Sequence, residues 1–222
     1  MANEPFVDSI VNEIIEPGIR RLMEHRYFSE LREGRLSVRR LQGWSLQHYL
    51  HNVVLLKGFA LCMVKNAHDS QLFSHFAYQF EEERTHPDLA KRFGLALGLG
   101  EEDFADATPV FGCLVHTSRM IHGMLLGSPA ENRVGALVDE SMVRRYSEEF
   151  NLHARKHYGL GDEACEFFTV HMVADEEHTA MASDVIARLA TTPRQQRLVR
   201  EAAEHTVRLK LGKFDGIYES YA

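Results

Sequence analysis

At 222 residues and 45% hydrophobic composition, the chain suits one domain with a sizeable core, or at most two small ones. Its net charge of −7 argues against nucleic acid as a partner, because phosphate binding needs a basic surface. No apolar run approaches the roughly 18–20 residues of a membrane span. The acidic opening MANEPFVDSI also lacks the basic and apolar regions of a signal peptide, so a cytoplasmic protein is expected.

A first helix is predicted over 5–24. After a stop at Gly34, Ser37 caps a helix over 37–65. In that helix Leu41, Trp44, Leu46, Tyr49, Val53, Leu56, Phe59 and Met63 recur at helical spacing. Asp69 opens 69–85, and 87–98 follows Pro87 and stops at Gly98–Gly100. Thr108 with Pro109 opens 108–126, which stops at Gly127. Ser128 with Pro129 opens 129–158, closed by Gly159–Gly161. Segments 162–190 and 193–220 complete the set, the last started by Thr192 and Pro193. No alternating strand pattern, internal repeat or low-complexity linker intervenes. The expectation is a single all-α domain over 1–222, a bundle of seven or eight helices. Cys62, Cys113 and Cys165 are far apart with no CxxC and read as reduced, buried thiols.

Thirteen histidines are many, and their spacing is informative. In TVHMVADEEHTAM, His171, Asp175 and His178 stand at i, i+4 and i+7. At about 100° per residue they fall within about 60° of one another. Taken alone, such a stripe fits a solvated helix face. Its neighbours Val170, Met172, Val173, Ala174 and Met181 are apolar, while Glu176 and Glu177 already supply a wet face. Burying two imidazoles and a carboxylate unpartnered costs on the order of several kcal/mol, which a bound metal removes. Two further segments carry matching groups. FEEERTHPDLAKRF holds Glu82, Glu83 and His86. Glu83-x-x-His86 has the spacing of di-metal bundle sites, and Glu82 reaches the same histidine from i−4. VGALVDESMVRRY places Glu140 close to an apolar stripe of Val134, Leu137, Val138 and Val143. Three histidines and three carboxylates suit two oxygen- and nitrogen-liganded metals better than one structural zinc.

These residues resemble the haem-oxygenase-like superfamily, which includes pyrroloquinoline-quinone synthase, the TenA thiaminases and the haem-oxygenase-like di-iron oxidases. The resemblance covers most of the chain. It runs from HRYFSELREGRLSVRRLQGWSLQHYLHNVVLLKGFAL (25–61) through HPDLAKRFGLALGL (86–99) and Glu140 to HMVADEEH (171–178). It implies His171, Asp175 and His178 as ligands from the penultimate long helix and Glu140 as the carboxylate of the helix before it. His86 with Glu83, or else Glu82, completes the set. Departures matter. The thiaminase cysteine is missing from LVDES (137–141). The aminobenzoate-forming branch, which consumes its own side chains, has a tyrosine just before the mid-chain glutamate and a lysine ten residues after it. Here Asp139 and Phe150 stand at those places.

The resemblance implies a non-haem di-iron oxidase or oxygenase, with two iron ions activating O₂ to oxidise a small organic substrate such as a fatty acid or amino acid. Tyr49, His48, His51 and Asp139 are candidates to orient ligands, and Phe80, Phe111, Met120, Met124, Phe167 and Phe168 to line an apolar pocket. The expected partners are the substrate and O₂, with no nucleic acid and no membrane, and a homodimer is compatible with them. Two other readings stand beside this one. One is a cofactor-free oxidase resembling the quinone synthase, and the other is a non-enzymatic helical binding protein.

Overall fold

The computed structural model describes residues 4–222, except for the side chains of 173–179. Every element among the described residues is helical. The first helix is α1 (Glu4–Ile10), a π-helical turn (Val11–Ile15) and α2 (Glu16–Met23) run together. Then come α3 (Arg26–Arg32), α4 (Val38–Lys65), α5 (Ser70–Glu83) and α6 (His86–Ala96). These are followed by α7 (Glu101–Ala105), α8 (Phe111–Leu125), α9 (Pro129–Tyr158), α10 (Glu166–Leu189) and α11 (Pro193–Ser220). The all-α expectation holds, with a few more helices than the seven or eight expected. The additions, α3 and α7, are too short to display an apolar period.

The capping logic is visible in the hydrogen bonds. Ser37 accepts from the Arg40 N–H, Asp69 from Gln71 and Leu72, Ser128 from Glu131, and Thr192 from Gln195. Gly34, Gly98 and Gly159 take positive φ at helix ends, a conformation open to glycine at little cost.

α10 packs most extensively on α9. α4 touches α5, α6 and α8, and α11 lies across α8 and α9. The main core is aromatic: Trp44, Phe93, Tyr146, Phe150, Phe167 and Phe168 are each 0% exposed and stack or meet edge to face. Each such ring contributes roughly 1.5–3 kcal/mol of burial. A second, smaller apolar cluster of Phe59, Cys62, Leu72, Phe76, Met124 and Val185 joins α4, α5, α8 and α10. Polar side chains collect between these two clusters. All three cysteines are buried and free.

Candidate metal centre

α5 ends at Glu83, and the chain restarts at His86 with Pro87 in its first turn. Proline cannot donate a backbone hydrogen bond and disfavours helix in the residue before it. The Glu83-x-x-His86 pair therefore straddles a break between two helices, where the spacing predicts a single helix. The break does not separate the side chains, because Glu83 Oε2 and His86 Nδ1 are in hydrogen-bond contact. Glu83 is largely buried and faces inward, whereas Glu82 is exposed to solvent.

α10 brings His171 to the same place. Its ring stacks on Phe167 at 4.0 Å and lies 4.5 Å from the His86 ring. His171 Nδ1 sits 2.7 Å from the Phe167 carbonyl, so Nδ1 carries the proton and Nε2 keeps the lone pair that a metal takes. α9 supplies Glu140. Glu83, Glu140 and His171 line one internal cavity of about 40 Å³, together with His48, His51 and Asn52 of α4. Among the described residues, no three carboxylate, imidazole or thiol groups close up tightly enough to hold an ion. The side chains of Asp175 and His178 lie outside the described residues, on the stretch of α10 that follows His171. The donors that are described are carboxylate and imidazole, which suit iron.

Beside the cavity lies a buried polar network. Asp139 Oδ1 accepts from Lys210 Nζ at 2.8 Å and lies 3.0 Å from His116 Nε2. Lys213 Nζ is 3.0 Å from His48 Nδ1, and His48 stacks flat on Trp44 at 4.8 Å. His51 Nδ1 is 2.8 Å from Thr117 Oγ1. Burial and the nearby lysine charges hold His48 and His51 well below the ordinary histidine pKa. Burial takes His116 down to about 4 in spite of Asp139, and Lys213 down to about 8, aided by the neighbouring Lys210 charge. Burial resists ionisation of Asp139, but Lys210 and His116 outweigh it and keep the carboxylate charged. At His86, burial opposes the proton, and the charge and hydrogen bond of Glu83, with the Glu82 charge, outweigh it and raise the pKa.

Arg133 closes one end of the cavity. It is 0% exposed, donates to Asn132 and Gln79 and contacts His75 Nε2, while its Nη2 makes no hydrogen bond and the charges of Glu140 and Glu83 act on it. Composition and period gave no hint of Arg133, Lys210 and Lys213. Their signal was positional: Arg133 stands on the α9 face that carries Ala136, Glu140 and Val143. Of the other expected neighbours, His48, His51 and Asp139 line the cavity, but Tyr49 packs away from it on Phe104. Met120 and Met124 line it as expected. Phe111 is 80% exposed and does not, because α8 begins there and turns its first residue outward.

An all-α bundle with carboxylate and imidazole side chains around one internal cavity narrows the class to which the chain can belong. Residues 42–211 match the family model described as iron-containing redox enzymes, and the chain belongs to that family. Among relatives, a 4-aminobenzoate synthase of Nitrosomonas europaea is 29% identical over 100% of this chain and 94% of its own. A 4-aminobenzoate synthase of Chlamydia pneumoniae is 25% identical over 76% of each chain. A Shewanella denitrificans domain of unknown function with a haem-oxygenase-like fold superposes with a TM-score of 0.83. It has 16% identity and covers 93% of this chain and 90% of that one. A TenA homologue from Pyrococcus furiosus gives 0.78, at 16% identity over 96% and 99% of the two chains. The fold is thus haem-oxygenase-like, as the resemblance implied.

Proposed function

We propose that the protein is an O₂-dependent oxidase of a small organic acid, of fatty acid or amino acid type, working through two non-haem iron ions. Glu83, His86, Glu140 and His171 would hold the metal with Asp175 and His178. The observation that carries this reading is that Glu83, Glu140 and His171, from three separate helices, line one buried cavity, while His86 of a fourth contacts Glu83 and stands 4.5 Å, ring to ring, from His171. Bound iron would supply the redox chemistry of O₂. The chain does the rest. The Phe167 carbonyl fixes the His171 ring, and the aromatic wall keeps bulk water out. Arg133 balances the charges of Glu140 and Glu83 from the same cavity wall. The Lys210–Asp139–His116 chain holds protons within reach of the cavity through Asp139.

The test is anaerobic loading with Fe(II), followed by O₂ in a stopped-flow spectrometer. A transient visible band that decays faster with one class of acid supports the reading. Wild-type iron stoichiometry in both His171→Ala and His178→Ala would sink it.

A second reading follows from the similarity to the two 4-aminobenzoate synthases: formation of 4-aminobenzoate. Against it, Phe150 is fully buried and stacked on Phe168 at 4.5 Å, and Asp139 is paired with Lys210. The tyrosine and lysine of that branch are therefore missing from the corresponding positions. Iron-loaded protein exposed to O₂ with no added substrate separates the two readings, since only the second yields 4-aminobenzoate.

A further inference from the structure

The cavity of about 40 Å³ holds ions and a few water-sized atoms, not an organic molecule. A second space lies next to it. Between α4 and α8 runs a groove of about 490 Å³, in the size range of small-molecule sites. Its walls are largely apolar, among them Val54, Leu114, Ile121 and Leu125. The two spaces share one residue, His51. This imidazole is 2% exposed and is held by Thr117, which itself lines the groove. A surface depression of about 1000 Å³ across α2, α9 and α10 shares no described residue with the cavity. Its charged walls are paired with each other, as in Arg32–Glu149 and Arg145–Glu148.

We propose that the groove between α4 and α8 binds the apolar body of the substrate, and that the His51–Thr117 hydrogen bond is the door between groove and metal cavity. This rests on the oxidase reading above and adds to it where the substrate lies and what it must be: a molecule with an apolar chain or ring and a polar head. The inner cavity cannot hold that body, and the groove meets the cavity at a single side chain, held by one hydrogen bond to Thr117 and packed on the rings of His48 and His116. Swinging one ring opens the way without moving a helix.

Trp44 provides the probe, since it is the single tryptophan, is fully buried and stacks on His48 one turn from His51. The ligand is 2-bromodecanoate, whose bromine sits beside the polar head, at the cavity end of the chain, and quenches indole fluorescence at short range. Wild-type protein should show saturable quenching. Val54→Phe, which narrows the groove from a half-exposed position, should weaken binding at least tenfold, with iron per chain unchanged. Thr117→Val, which removes the hydrogen bond and keeps the shape, should speed the approach to quenching several-fold. Absence of saturable quenching, or an unchanged affinity in Val54→Phe, overturns the proposal. So does a wild-type dimer that Leu114→Gln splits without any change in quenching, because the groove is then an interface between copies. If quenching behaves as expected and no iron binds, the oxidase reading fails and the groove stands. If iron binds and quenching is absent, the reverse holds.

Discussion

Lys213 shows how much a single buried residue can shift the molecule's response to pH. Its ammonium is 1% exposed, faces the neutral His48 ring, and titrates at about 8 against an ordinary 10.5. Below pH 8 both folded and unfolded chains carry the proton, and the folded one bears the full cost of a buried charge. Between pH 8 and 10.5 the folded chain has released it while the unfolded chain has not, so stability rises with pH across that window. The gap corresponds to about 3 kcal/mol. Lys213→Met should therefore be more stable than wild type near neutral pH, by about 1–3 kcal/mol, and should lose the rise above pH 8. Urea unfolding at pH 7 and pH 10 measures both effects. The paired glutamates give a second residue-scale test. Glu83 contacts His86 and lines the cavity, while Glu82 is exposed. Glu83→Ala should lose iron and O₂ reactivity, and Glu82→Ala should keep both. Full iron and activity in the double variant would remove this segment from the site.

Close approach between helices governs the element scale. Where α8 meets α11, a Cβ on Gly112 would stand 2.2 Å from the Gly212 carbonyl oxygen, a backbone atom that cannot step aside. Gly112→Ala should therefore push α8 off α11 and cost about 1–3 kcal/mol. Gly161→Ala, where no atom lies within 4 Å, should be near neutral in the same urea series. Elements were legible in the sequence wherever a local signal set them. Ser37, Asp69, Ser128 and Thr192 cap helices as their residue types predict. Thr108 was expected to open α8, which instead begins at Phe111. Gln47, far along the chain, donates to the Thr108 carbonyl and accepts from the Val110 N–H, holding that stretch out of the helix. A contact across 63 residues leaves no trace in a local pattern. The site divides the same way. Spacing exposed the histidines and glutamates, because ionisable groups break an apolar stripe. Arg133, Lys210 and Lys213 stayed hidden, because a lone cation on a helix looks like an ordinary wet residue until its neighbours are known.

At the scale of the whole molecule, the candidate site borders the core through its histidines, with His171 on Phe167 and His48 on Trp44, but the core does not depend on the site's carboxylates. The aromatic cluster around Trp44, Phe150 and Phe168 packs without any contribution from Glu83 or Glu140, and it binds α4, α6, α9 and α10 together. The apoprotein should thus fold, and iron should stabilise it by mass action instead of being needed for folding. Free iron at about 100 times its dissociation constant adds about 2.7 kcal/mol. In a domain of this size each kcal/mol moves Tm by about 2–4 °C, so removing iron with a chelator should lower Tm by about 5–10 °C. The far-UV circular dichroism at 20 °C should not change, because the helices of the bundle are held by the core. A loss of helicity on chelation would mean that the metal organises the fold, as in small metal-dependent domains. An unchanged Tm in iron-saturated protein would mean that the site formed by Glu83, Glu140 and His171 with the adjacent His86 does not bind iron tightly, and the oxidase reading would go with it.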